Sequence, residues 1–375
     1  MTSSIAISGS DNFQIDNAAL PLPAVSYHAR MNVVRFIAIC SVVWGHCSLG
    51  LENRVFSNEG FQLMQAVSMQ AGRVGTIMFF IISGFLLFDK IERFTPLTYL
   101  RYRLYSLIIP WLSFIAILVF FQVFHEFTLK EILQNDLSAT GTLVWQLAKG
   151  SVFHAAYWFI PIAIFSSVLL IALKRYIRTI WLGLVLAGLS LLYCINLYVS
   201  WVPVLHTTAV LGYVFYLWLG MFIKLYINKV IAVLKGIPAV MVVFALIVGF
   251  LVACAEAINL SHIGCADSYA SLRLSNAELS VLLFAVLLKS HRLSFIDYLQ
   301  PQKNTYGIYL MHSLIIMVLA PIANNYIASH NAYFSWSQFI TVQITFFTCV
   351  FALSFLIVSV IRRSSLRVIL GIARQ

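Results

Sequence analysis

Charge is what this 375-residue sequence has least of: Asp, Glu, Lys and Arg together make up 10% of it. A soluble domain carries roughly 25% charged residues. A chain that is 61% hydrophobic has too few polar side chains to cover itself in water, which excludes an ordinary soluble enzyme. Acids are scarcer still, 13 against 24 Lys and Arg, for a net charge of +11. In a soluble protein that sign suggests nucleic acid. Here the distribution among loops accounts for it, and no nucleic-acid partner is expected. The six cysteines include no C-x-x-C pair, so the usual spacing of a metal site is missing and none is expected. Cys254 and Cys265 bracket a short outside loop, where a disulfide and plain packing both stay open. Residues 1–30 lack a basic n-region and a small-residue cleavage site, and read as a poorly ordered cytoplasmic tail, not a signal peptide.

Long apolar runs are abundant. A span needs about 20 mostly apolar residues, and ten runs qualify, at about 31–50, 71–88, 104–124, 157–173, 179–196, 207–224, 237–254, 276–289, 306–323 and 339–361. Continuous runs exclude the alternating strands of a barrel. The expected fold is all-α, a polytopic membrane helix bundle of about ten transmembrane helices. Of the 24 Lys and Arg, 18 fall in the segments on the same side as both termini, so both termini are expected in the cytoplasm. The transmembrane domain spans 31–361, and 362–375 reads as a basic cytoplasmic tail at the lipid surface. The longest outside connection, about 125–156, has Leu143, Val144 and Leu147 on one side, a pattern that suits the membrane interface.

Two polar residues in the first run stand out. In "RFIAICSVVWGH", Arg35 and His46 are eleven residues apart, about 20° past three full turns, so they share one helix face. Asn32 lies within about 60° of Arg35 on that face, and the axial separation of Arg35 from His46 is about 16 Å. Charged groups at such depth are costly unless they face protein or water. Snorkelling of Arg35 and interfacial packing of His46 is the plain alternative. No Asp or Glu lies in this run. Further along come "MFFIISGFLLF" with Ser83-Gly84, "RYRLYSLIIPW" with Arg101, Arg103 and the bend at Pro110, "HAAYWFIP" with His154 and Trp158, and "YGIYLMHSL" with Tyr306, Tyr309 and His312. Outside aromatics Tyr198, Trp201, Tyr333 and Trp336 suit either an interfacial belt or stacking on sugars.

In this order, over about residues 31–361, these motifs resemble acyltransferase family 3, integral membrane enzymes that O-acylate bacterial surface glycans. Three positions depart from the family pattern. Asn32 stands where an Asp is frequent, Ser106 where the second Arg of an R-x-x-R pair falls, and His154 precedes Trp158 by four residues instead of two. The resemblance implies an O-acyltransferase, most often an O-acetyltransferase, in the bacterial inner membrane, with no bound cofactor. Its donor is a cytoplasmic acyl-CoA such as acetyl-CoA. The acceptor is a hydroxyl of a cell-surface or lipid-linked glycan. Arg35, Arg101, Arg103 and Ser83 are expected to bind the donor, since guanidinium forks suit phosphate oxygens. His46 is expected to be general base or acylated nucleophile, with His312 and Tyr309 orienting it or holding the thioester carbonyl. A secondary transporter and a non-catalytic scaffold are the rivals. Against the transporter stand the apparent lack of a coupling carboxylate within the spans and the lack of matching broken helices in two halves.

Overall fold

The computed structural model describes residues 24–50, 58–126, 137–153, 156–289, 294–329 and 335–372, and among these the chain is helical with no strand. The first half contains α1 (Ala24–His46), α2 (Glu59–Ala71), α3 (Val74–Phe88), α4 (Pro96–Arg103) and α5 (Ile109–Glu126). There follow α6 (Leu137–Phe153), α7 (Phe159–Ala172), α8 (Ile180–Val199) and α9 (Val210–Leu225). The chain continues through α10 (Ile227–Gly236), α11 (Ala239–His262), α12 (Leu274–Lys289), α13 (Pro301–Ser329) and α14 (Trp336–Arg363). Each of the ten apolar runs falls largely within helix. Among the described residues, six helical segments are long and apolar enough to cross a membrane, or eight if two bent pairs are each one span. The runs left over are α1, polar in its first half, and α12, only 16 residues long. Glu278, within α12, corrects the expectation that the spans hold no carboxylate; it is exposed and borders neither cavity of the site described below.

Local sequence explains the breaks. Thr95 caps α4, its hydroxyl accepting from the Thr98 N–H, with Pro96 in the first turn where no donor is missed. Pro110 has no N–H and its ring crowds the carbonyl four residues back, that of Ser106. The backbone responds with a π turn over Leu104–Ile108, where Ile109 bonds to the Leu104 carbonyl. The Ser106 carbonyl meets Gly371, at positive φ after the last helical turn, so this part of the expected tail packs on the bundle. Cys254 and Cys265 are separate thiols. In the connection before α7, Leu147 packs inward and Val144 is exposed; residues 127–136 and 154–155, His154 among them, lie outside the described residues.

Two apolar lobes make the core. One gathers α3, α7, α8, α9 and α12, and the other α5, α13 and α14. Helix α1 lies between them: Val34 and Ala38 belong to the first lobe, Ile39 and Val43 to the second. Phe79 and Phe159 pack against both. Helices α3 and α9 touch at backbone distance, since a Cβ at Gly84 would overlap the Leu217 carbonyl and one at Gly220 the Ile81 carbonyl. Small residues at such a crossing are how membrane helices gain contact without a hydrophobic driving force. The site lies along the seam that α1 occupies.

Candidate active site

Arg35 and His46 both face this seam, as their spacing requires. Each opens into its own cavity. At the His46 end a cavity of about 220 Å³ is bordered by Val42, His46, Arg73, Thr76, Trp158, His206 and Tyr309. At the Arg35 end a second, about 320 Å³, is bordered by Arg35, Ser83, Arg103, Ser106, Gln302 and Thr305. Phe79, Phe159 and Tyr309 line both. The two spaces therefore abut at an aromatic neck and follow α1 from Arg35 to His46.

Backbone contact fixes the His46 end. A Cβ at Gly45 would stand 2.9 Å from the Gly72 carbonyl oxygen, so α1 and the end of α2 meet with no side chain between them. Ser41 serves the break that follows: its hydroxyl donates to the Ala71 carbonyl at 2.9 Å and accepts from the Gly75 N–H at 3.1 Å. The consequence is that His46 and Arg73, each next to one of these glycines, enter the same cavity. His46 is exposed by area although protein surrounds it, because its ring faces the void. Its ring centroid lies 5.3 Å from that of His312, on α13.

His312 is fully buried. Its Nδ1 is 2.6 Å from the Tyr309 carbonyl, which can only accept, so Nδ1 carries the proton and Nε2 a lone pair. Among the described residues that Nε2 has no hydrogen-bond partner. Beside His46, it is an acceptor ready to fix the tautomer of the exposed ring, as second groups do for catalytic histidines. The Tyr309 hydroxyl is already engaged, donating to the Ala156 carbonyl at 2.5 Å, while Tyr157 donates to the Leu310 carbonyl at 2.7 Å. This reciprocal pair ties the start of α7 to α13, and Tyr309 lines the neck with its ring.

The Arg35 end answers what replaces the expected acid at position 32. Arg35 Nη1 donates to Asn32 Oδ1 at 3.3 Å, and Asn32 Nδ2 donates to Asp297 Oδ1 at 2.7 Å. The carboxylate comes from a 3₁₀ turn, Ser294–Leu299, 265 residues away in the chain. Arg103 is held by the Tyr99 hydroxyl at 3.1 Å and lies over the Tyr99 and Tyr102 rings. Ser83 donates to the Phe79 carbonyl one turn back at 2.7 Å. Arg101 is brought to neither cavity; it is exposed on α4. With Arg35 as a donor-binding residue, as the family resemblance implies, Asp297→Ala removes the anchor of Asn32 and so of Arg35, and is expected to raise the donor KM about tenfold with kcat at saturating donor unchanged, measured by steady-state kinetics. The order of magnitude is that of one hydrogen bond to a charged group.

Three residues of this site, Asp297, Arg73 and His206, went unmarked as site residues in the sequence. Asp297 carries no local signal. Arg73 counted only as an outside cation, although a cation between Gly72 and Gly75 inside an apolar stretch marks a helix break. Trp158 stacks on His206 at 4.1 Å with an interplanar angle of 10°, an aromatic face at the cavity that the outside residues Tyr198, Trp201 and Trp336 do not border; Tyr333 is outside the described residues. Among the described residues no three His, Cys, Asp or Glu side chains converge on a metal position.

The fold is that of a multi-pass membrane helix bundle. The family model of the acyltransferase domain, acyltransferase family 3, matches residues 28–363, nearly the whole chain, and the chain belongs to this family. The comparison with curated proteins gives no match, and neither does the comparison with solved structures.

Proposed function

We propose that this membrane acyltransferase takes an acyl group, most often acetyl, from cytoplasmic acyl-CoA and places it on a hydroxyl of a cell-surface or lipid-linked glycan, in the bacterial inner membrane. One observation carries the proposal: two abutting cavities run along α1, with Arg35 and Arg103 in one and His46 in the other. Guanidinium groups suit the phosphates of the donor. The donor's long thioester arm passes the neck of Phe79, Phe159 and Tyr309, and its carbonyl arrives at His46. His46 takes the proton of the acceptor hydroxyl as that oxygen attacks the thioester carbon. The tetrahedral intermediate collapses with cleavage of the C–S bond, and the imidazolium returns its proton to the departing CoA sulfur. His312 Nε2 holds the His46 ring in the productive tautomer.

Membranes carrying the protein, incubated with acyl-CoA labelled separately in the acyl group and in the CoA moiety, test this reading. Acyl label is expected in the glycan or lipid-linked sugar fraction, with CoA label left behind as free thiol. Label that crosses the membrane with donor intact points to a transporter. No transfer and no thioester cleavage points to a scaffold.

A further inference from the structure

We propose that Arg73 anchors an anionic group of the acceptor, a carboxylate or phosphate, so that the acceptor class is an acidic glycan; the inference rests on the acyltransferase reading. Arg73 is the only permanently charged side chain bordering the His46 cavity among the described residues. Its Nε is buried without a hydrogen-bond partner among those residues, and the contact its guanidinium makes is with the face of Tyr269, 5.9 Å from the ring centroid. Arg73 is half-buried, and a cation at a cavity wall with no carboxylate paired to it among the described residues is stabilised when an anion arrives.

The groups around Arg73 do not supply that anion. Asp267 lies 3.9 Å from His206 Nε2 and accepts from the Tyr269 N–H at 3.2 Å. Glu256 accepts from the Ser275 N–H at 3.0 Å, from the Ser275 hydroxyl and from the Tyr198 hydroxyl at 3.0 Å. Burial keeps the Tyr269 phenol protonated, pushing it up to about 12 even with two guanidinium groups over its ring. Arg273, also over that ring, is a contrast. It is fully buried and saturated, donating to the carbonyls of Ala270 and Ala253 and to Gln70 Oε1. One guanidinium is built into the structure; the other is left open to a cavity.

What fills the cavity is narrowed by its remaining walls. Trp158 is buried with the His206 ring stacked on it, and the half-buried His206 brings this aromatic stack to the cavity wall. Thr76, in the first turn of α3 directly after Arg73, borders the same space and adds a hydroxyl beside the guanidinium. Donor phosphates belong to the Arg35 cavity, on the other side of the aromatic neck. The thioester oxyanion exists only in transit and does not neutralise the resting cation. An acidic sugar satisfies all three walls: its ring beside the His206 end of the stack, its anion on Arg73, its hydroxyl toward His46.

The test uses the full-length protein in phosphate-free maltoside micelles with acetyl-CoA as donor. Glucuronate, glucose 1-phosphate and glucose serve as probes. Two readouts are taken for each sugar: the concentration giving half its effect on CoA release, and the rise in melting temperature. Glucuronate and glucose 1-phosphate are expected to act at a concentration about tenfold or more below glucose, and together they separate carboxylate from phosphate recognition. Arg73→Gln should remove that difference and Arg73→Lys, which keeps the charge, should retain part of it. Equal action of acidic and neutral sugars on wild type overturns the proposal. So does a lower rate in Arg73→Gln with the acidic preference intact, the mark of a role at the oxyanion. Preference lost when anionic lipid is added assigns Arg73 to a lipid headgroup and also overturns it. If CoA release is absent while acidic sugars still raise the melting temperature, the acyltransferase reading fails and the anion site stands.

Discussion

His46→Ala is expected to lower acyl transfer by about 10²- to 10⁴-fold, the range for loss of a general base, with normal amounts of folded protein. Folding should survive because the ring faces a cavity and is not packed into the core. Donor affinity should survive because Arg35 and Arg103 lie in the other cavity. Two assays on purified protein check this, acyl transfer to acceptor and equilibrium binding of acyl-CoA. If His312 acts through His46 as proposed, its loss should be milder, about tenfold, and His312→Gln should also displace the pH–rate profile. A purely structural role for His312 would lower the rate at every pH alike. Quenching the reaction without acceptor separates the two chemistries open to His46. A base leaves no acyl group on the protein, whereas a nucleophile leaves an acyl-imidazole.

Gly84→Val is expected to remove most folded protein, an effect of similar size reached by packing instead of chemistry. The Cβ position of Gly84 is occupied by the Leu217 carbonyl of α9, and on the facing helix Gly220 stands in the same relation to Ile81 of α3. A carbonyl cannot rotate away as a side chain tip can, so the helices must separate. Overpacking that side chains absorb costs about 1–3 kcal/mol, and separation of backbones exceeds it. The lobe around Phe80, Leu217 and Met221 loses its central contact. The measurement is the monodisperse fraction after extraction and its melting temperature. Gly188→Ala, where nothing lies within 4 Å of the added carbon, is the matched control and should leave both unchanged.

Much of the fold was legible because membrane spans announce themselves locally. The apolar runs sit in helices, and the shared face of Arg35 and His46 follows from helical geometry within one segment. Ser83-Gly84 as a close-approach site follows from residue size. Partners distant in sequence were not legible. Nothing in "FIDYLQPQKN" ties Asp297 to Asn32, although it supplies the carboxylate that position 32 lacks. Equally hidden was the use of the Tyr309 hydroxyl, spent on the Ala156 carbonyl, so that a side chain expected to hold His46 or the thioester serves as wall and tie. Arg101 and Arg103 looked equivalent two residues apart. Helix geometry turns them about 200° from one another, and Arg103 enters the cavity while Arg101 stays outside.

The central claim is that one face of α1 separates donor recognition from reaction. Its most direct test is acyl-CoA binding and acyl transfer measured side by side for Arg35→Ala and His46→Ala. The expected result is a split: Arg35→Ala weakens donor binding about tenfold or more and keeps most transfer at saturating donor, while His46→Ala binds donor normally and transfers about 10²- to 10⁴-fold less. Equal loss of binding in both, or transfer that survives His46→Ala, would contradict it.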